Sequence, residues 1–216
     1  MTHYKKFQKS LSLLTVLLAT FLGFAPLATQ AAKLPVLNAP VDLLQSKLKW
    51  TGYKITGQHF GSLKVKSGTL DFSNGNLVGG SILVDMKSIT VDDKAKDPDS
   101  QQKLVGHLAN DDFFSNEKFP TAEFVIKKVT PLKKPSATAN HSISGDLIIK
   151  GQSHPLTLDA DLMKHGVLFH AAGKASVDRT LYGIKYKSAK FFSDIADKAI
   201  NDNFDLEINI YAKIPK

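Results

Sequence analysis

One arginine stands among the 28 basic residues of this 216-residue chain, in the segment VDRTLYGIKY at residues 177–186. A guanidinium group can bind an anionic ligand, and its planar set of donors can equally hold a carboxylate or several backbone carbonyls. Arg179 follows the last inward residue of an alternating strand pattern, and Gly183 permits a sharp turn soon after it. This placement favours a structural clasp at the edge of a sheet over an anion-binding or catalytic site.

Seven histidines raise the question of metal binding or acid–base catalysis. None is spaced as HxH, HxxxH or HExxH, and the chain has no cysteine and no GxSxG motif. The acidic residues at 92, 93, 97 and 99 lack the glycine and glutamate of a calcium loop and suit the start of a helix. We therefore expect no catalytic residue, no metal site and no cofactor. An enzymatic alternative would draw its acid–base groups from His59, His170 or Asp178.

Residues 1–31 have the pattern of a secretory signal peptide. Lys5, Lys6 and Lys9 precede a stretch that is uncharged from residue 11 to 32, and Thr29 and Ala31 suit a cleavage site after Ala31. The run also approaches the length of a membrane span, so an uncleaved anchor is the alternative. We expect an exported, periplasmic protein whose residues 32–216 form a single domain.

The remaining charge is modest and dispersed. Removing the three lysines of the leader lowers the formal net charge from +8 to +5. A nucleic-acid surface needs a concentrated basic stripe, which is missing, whereas a weak attraction to anionic lipid headgroups is compatible with scattered lysines. The absence of cysteine excludes disulfides, so the domain must be stabilised by its core.

Apolar and polar residues alternate along most of the chain, which indicates strands with one buried and one wet face. Short turns such as SNGN, KGQS and KHG predict antiparallel hairpins. A slip of phase at Ser67–Gly68 predicts a β-bulge. A helix is predicted from about Pro98, and FFSDIADKAI is predicted as a short helical or irregular crossover. Eight strands are expected near residues 47–55, 59–72, 77–88, 120–130, 141–150, 154–163, 166–178 and 203–213.

Eight such strands form either a closed barrel or a sandwich. Small residues on the inward faces could leave room for an elongated apolar ligand, as in lipocalins. They could instead accommodate a packed helix or allow tight coiling of the strands. The small inward residues are Gly80, Gly145, Ala160, Ala171, Gly173 and Ala175.

Motifs that follow one another in the order found in the family resemble the YceI family of bacterial periplasmic proteins, over about residues 47–211. HLANDDFFSNEKFPTAEF at 107–124 carries the most specific pattern, a helix end followed by DFF and EKFP. LKWTGYKITGQHFGSLKVKSGTLDF resembles the opening hairpin of the family, and GDLIIKGQSHPLTLDADL a later one. Arg179, Tyr182, Gly183 and Ile184 resemble its late arginine–aromatic–Gly–Ile segment.

The resemblance implies an all-β, lipocalin-like, eight-stranded antiparallel barrel with a long hydrophobic tunnel. It also implies a non-enzymatic protein that binds a polyisoprenoid lipid or isoprenoid quinone; an enzyme acting on a hydrophobic substrate, or a stress or adhesion protein with a filled barrel, is the alternative. Transient contact with a membrane surface and a homodimer are both compatible with the sequence. The inward residues expected to contact the ligand are Trp50, Leu63, Val65, Phe72, Ile82, Val84, Phe124, Ile126, Leu147, Leu158, Phe169 and Ile208.

Overall fold

The computed structural model describes Thr2 and residues 35–215, so the expected signal peptide lies, apart from Thr2, outside the described residues. Residues 35–215 contain nine strands and one α-helix. In chain order these are β1 Val36–Pro40, β2 Lys47–Lys54, β3 Gly57–Ser73, β4 Asn76–Asp85, α1 Pro98–Ala109, β5 Thr121–Ser136, β6 Ala139–Ile149, β7 Gln152–His165, β8 Leu168–Asp178 and β9 Ile200–Lys213.

Strands β2–β9 form a closed antiparallel ring. Around the ring the order is β3, β2, β9, β8, β7, β6, β5 and β4, and β4 pairs with β3 to complete it. Each apolar stripe predicted by the alternation therefore faces one shared interior. The eight-stranded barrel expected from the sequence is confirmed, and the strand bounds differ from the expected ones by a few residues except in β5, which extends to Ser136.

Strand β1 was not predicted, since the first of the eight expected strands begins near residue 47. It pairs antiparallel with the second half of β3, from Val36 opposite Ser73 to Pro40 opposite Thr69. This stretch of β3 lies beyond the end of β2, whose pairing with β3 begins at Leu48. The segment is short and rich in proline, so it has little alternation of its own. Its strand conformation comes from the exposed edge that β3 offers.

The two ends of the barrel differ. One end, here called the hairpin end, carries the tight turns that follow β3, β5 and β7. The opposite end, called the helical end, carries α1, the loop 110–120 and the crossover 179–199. Helix α1 begins after Asp97, whose side chain accepts a hydrogen bond from the Ser100 N–H at 3.1 Å. No helix among the described residues is long and apolar enough to cross a membrane.

Loop 110–120 is fastened to the barrel by several polar contacts. The side-chain amide of buried Asn116 donates to the Met86 carbonyl at 2.5 Å. Lys150 Nζ donates to the Phe113 carbonyl at 2.7 Å, and burial lowers the pKa of that lysine. These contacts hold the loop across the helical end.

The bulge predicted at Ser67–Gly68 is present as a register shift between Val65 and Ser67.

Two of the small inward residues, Gly80 and Gly145, allow adjacent backbones to approach closely and leave no open space. A Cβ atom on Gly80 or Gly145 would collide with a backbone carbonyl oxygen of the adjacent strand. Neither glycine lines an interior cavity, so for both the close-coiling alternative is correct.

The substitution Gly145→Ala tests this assignment, because the new methyl group would overlap the Val125 carbonyl oxygen. We expect the free energy of unfolding to fall by about 1–3 kcal/mol, the usual cost of overpacking. Gly106→Ala is the matched control, since an added Cβ at this exposed helical position meets nothing within 4 Å. The control should raise stability by up to about 1 kcal/mol. Chemical denaturation measures both, and equal stabilities would contradict the assignment.

Candidate functional site

Two cavities lie inside the barrel. The central cavity has a volume of about 90 Å³ and the helical-end cavity about 110 Å³. Four residues line both cavities, namely Leu48, Val84, Leu147 and Leu206. The shared wall shows that the two cavities adjoin inside the barrel, with these four side chains at the junction; together they are called the lumen.

The central cavity is lined only by apolar side chains and one glycine. Ala160, Ala171 and Gly173 contribute to it, so these small residues do leave space, in contrast to Gly80 and Gly145. An apolar cavity of this kind offers no hydrogen bond to water and is therefore suited to an apolar guest. The central part of the lumen is therefore suited to hydrocarbon groups and offers no side-chain hydrogen bond to a polar group.

Most of the residues predicted to face the lumen do so. The central cavity is lined by Ile82, Val84, Phe124, Ile126, Leu147, Leu158 and Ile208. The helical-end cavity is lined by Trp50 and Leu63, together with Val84 and Leu147. Their role in ligand binding remains a prediction, whereas their position on the lumen wall is a property of the fold.

Val65, Phe72 and Phe169 are inward, as predicted, but line neither of the two cavities, and their contact with a ligand stays a prediction. All three belong to the buried core cluster, and the Phe72 and Phe169 rings meet edge to face at a centroid distance of 4.9 Å. Phe72 lies near the end of β3 and Phe169 near the start of β8, both at the hairpin end. Alternation identified these side chains as inward, but it could not show that the two rings fill the interior there.

Sequence reasoning missed several lining residues. Leu156 and Leu206 have the same alternation as their predicted neighbours Leu158 and Ile208, so that pattern could have identified them. Residues from loops also contribute, including Ile89, Phe113, Phe114 and Ile184. Loops have no periodicity, so no comparable signal marks these residues.

The polar part of the lumen wall is at the helical end. Arg179, Asn201 and Asn203 line the cavity there. Arg179 is 4% exposed and donates to the carbonyls of Asn201, Ile184 and Ile200 at 3.0, 2.9 and 3.0 Å. Burial lowers the pKa of the guanidinium, and Asp202 lies 3.6 Å from it. The clasp predicted for this arginine is confirmed.

The β2–β9 ladder is irregular beside this clasp. Gly52 pairs with Phe204 and Lys54 with Ile200, so residues 201–203 of β9 bulge opposite a single residue of β2. A surface groove runs along the same stretch, and Ile200 and Asn201 line both this groove and the helical-end cavity. One irregular segment of strand therefore separates the lumen from the surface.

The groups considered for acid–base chemistry lie away from the lumen. His59 Nδ1 is 2.8 Å from an Asp93 carboxylate oxygen, and His170 stacks on Tyr211 at a centroid distance of 4.0 Å. Burial alone would raise the pKa of Asp93, but hydrogen bonds from His59 and the backbone outweigh it and the pKa is lowered.

Asp178 accepts hydrogen bonds from the N–H and hydroxyl of Thr180. Among the described residues that line the two cavities, Arg179 is the single titratable group. Residues 35–215 also contain no group of three or more potential metal ligands. The enzymatic alternative would need two titratable groups that meet inside the cavity within hydrogen-bond reach.

A closed antiparallel barrel with an apolar lumen defines a lipocalin-like architecture suited to binding small molecules. The YceI-like domain model matches residues 40–212, and the chain belongs to this family. It is 28% identical over 159 residues to UPF0312 protein plu2095 of Photorhabdus laumondii, covering 70% of this chain and 71% of that protein. Protein YceI of Escherichia coli O157:H7 is 30% identical over 107 residues, half of each chain.

Solved structures share the fold at low sequence identity. Burkholderia cenocepacia BcnA superposes with a TM-score of 0.63 and 18% identity, covering 80% of this chain and 99% of that one. A polyisoprenoid binding domain from Saccharophagus degradans, implicated in plant cell wall breakdown, gives a TM-score of 0.58 at 10% identity, over 84% and 100% of the two chains. The barrel is therefore a fold of known type.

The substitution Arg179→Lys tests the clasp, because one ammonium group cannot serve three separate carbonyls. Leaving buried carbonyls without a donor should lower the free energy of unfolding by about 2–4 kcal/mol. Asp202→Asn removes the neighbouring charge and keeps the three hydrogen bonds, so it should lower stability less than Arg179→Lys does. Thermal and chemical unfolding compare the two variants, and an Arg179→Lys protein as stable as the parent would refute the clasp.

Proposed function

We propose that this protein binds an isoprenoid-type lipid, a polyisoprenoid or an isoprenoid quinone, inside the barrel and carries or sequesters it in the periplasm. The observation that carries the proposal is the unfilled apolar lumen, built as two adjoining cavities. A chain-like hydrocarbon suits such a lumen better than a compact ligand does. The family membership and the fold shared with a polyisoprenoid binding domain support the same choice of ligand.

The physics of the lumen accounts for affinity without strong polar contacts. Each methylene group transferred from water contributes about 0.8 kcal/mol, so a tail of a few isoprene units can bind tightly. The Phe72–Phe169 pair at the hairpin end limits how far a tail can extend in that direction. A polar head group is expected at the helical end, near Asn201 and Asn203.

The periplasmic location is part of the proposal and is supported by the leader pattern at residues 1–31. A filled-barrel stress or adhesion protein would need large side chains throughout the lumen. Such side chains meet at the hairpin end, whereas the wall of the central cavity includes the small residues Ala160, Ala171 and Gly173. Binding is accordingly preferred to a purely structural role.

Lipid extraction of the protein purified from its own periplasm, followed by mass spectrometry, tests the ligand. We expect an isoprenoid chain in reproducible, near-stoichiometric amount. A protein that is repeatedly empty and shows no affinity for added long-chain isoprenoids would contradict the proposal. Recovery of straight-chain fatty acids alone would support a lipid-binding lumen and contradict an isoprenoid ligand.

The substitution Leu206→Trp tests where the lipid lies, because this residue is part of the junction between the two cavities. The larger side chain should block passage and reduce the co-purified lipid about tenfold or more, since the tail loses burial of several methylene groups. Leu168→Trp is the matched control: it adds similar bulk at an exposed position of the hairpin end. Both variants are compared by lipid content and melting temperature. Unchanged lipid content in a folded Leu206→Trp protein would place the ligand elsewhere.

A further inference from the structure

The crossover at the helical end exposes two adjacent phenylalanines. Phe191 and Phe192 are 43% and 49% accessible to solvent. A single exposed apolar side chain is ordinary on a protein surface, but neighbouring large ones mark a contact surface. Neither ring belongs to a core cluster of the barrel.

A hydrogen-bonded turn holds these two residues in place. Ser188 is fully buried, and its carbonyl accepts from the N–H groups of Phe191 and Phe192 at 3.0 and 3.1 Å. The Ile200 N–H donates to the Lys187 carbonyl at 2.8 Å, which ties the turn to the start of β9. The exposure of the rings is therefore a feature of an anchored segment.

Two lysines lie over the exposed Phe191 ring, and a third lies over the nearby Tyr186 ring. Lys185 Nζ lies 4.7 Å and Lys190 Nζ 5.9 Å from the Phe191 ring centroid, and Lys187 Nζ lies 5.2 Å from the centroid of Tyr186. Residues 185–198 contain four lysines and two aspartates, Asp194 and Asp197. Aromatic rings flanked by lysines are the combination that partitions into the boundary between lipid headgroups and acyl chains.

The crossover that carries the exposed rings lies next to the irregular segment of β9 that separates the lumen from the surface. Ile55, which is 67% exposed, lines the surface groove together with Ala189 of the crossover. Ile200 and Asn201, on the floor of that groove, also line the helical-end cavity. An apolar phase in contact with this surface would be separated from the lumen by one irregular strand segment.

We propose that Phe191, Phe192, Lys185, Lys187 and Lys190, called here the docking surface, bind the protein to an anionic membrane surface. The rings would insert between headgroups while the lysines pair with lipid phosphates. Docking would bring the helical end of the lumen to the bilayer, where a lipid can be loaded or released. The role of docking in loading or releasing lipid rests on the proposed function. The membrane contact itself is argued from the exposed rings and the lysines alone.

A second copy of the chain fits this surface less well. A two-fold dimer brings the same patch of both subunits together, so each lysine cluster would oppose its own copy. An anionic bilayer is complementary to the net positive charge of residues 185–198. The observations therefore favour lipid over self-association.

Vesicle flotation of the protein purified after export tests the docking surface. Vesicles of phosphatidylethanolamine with phosphatidylglycerol are compared with vesicles of phosphatidylcholine alone. We expect binding to the anionic vesicles that weakens as salt is raised. The double variant Phe191→Ser/Phe192→Ser should reduce the partition coefficient about tenfold or more. Lys185→Gln/Lys190→Gln should reduce it about fivefold for each lysine at low salt.

Leu168→Ser is the matched control, because it removes an apolar side chain that is 59% exposed at the opposite end of the barrel. It should bind vesicles as the parent does, and circular dichroism should show all variants folded. Parent-like binding by the phenylalanine variant would overturn the proposal. The proposal would also be overturned if the parent protein is a dimer and the phenylalanine variant is a monomer with unchanged vesicle binding.

Lipid extraction of the same preparations separates the two proposals. Vesicle binding by a protein that carries no lipid would support the docking surface and contradict the proposed cargo. Bound lipid in a protein that ignores anionic vesicles would support the cargo and overturn the docking surface.

Discussion

The pairing of β3 with both β2 and β4 closes the sheet, and the other features of the molecule depend on that closure. In an open sheet the apolar stripes would need a second layer to cover them. In the closed ring they cover one another, and the small residues of β7 and β8 leave the centre unfilled. The β3 bulge between Val65 and Ser67 bends the longest strand of the barrel, and β1 extends the pairing of β3 where β2 ends.

The hydrogen bonds that hold the crossover and the polar part of the lumen wall both lie at the helical end. Here the chain leaves the sheet between β8 and β9, and Arg179 fixes the crossover through three carbonyls. The buried guanidinium stabilises the segment that carries Phe191 and Phe192 and the irregular start of β9. The same arginine also lines the helical-end cavity, whereas the Phe72 and Phe169 rings meet at the hairpin end.

The sequence predicted the features that depend on local patterns. Alternation located the eight strands of the ring and most of the lumen wall, the helix signal located α1, and the position of Arg179 at the end of a strand predicted its clasp. Features that depend on tertiary context were missed or misassigned. Strand β1 exists because β3 offers an edge, Gly80 and Gly145 are required by close backbone approach, and Phe72 meets Phe169 across the interior. The loop residues Phe113 and Phe114 contribute to the cavity without any periodic signal.

The central claim is that a single lipid chain occupies the lumen through both cavities. A high-resolution crystal structure of the protein purified from its own periplasm, with no lipid added, tests it most directly. The account predicts continuous elongated density that passes Leu206 at the junction, with its polar end near Asn201 and Asn203. Side chains of Leu48, Val84, Leu147 and Leu206 packed together across an empty junction, in a protein that retains its ligand elsewhere, would contradict it.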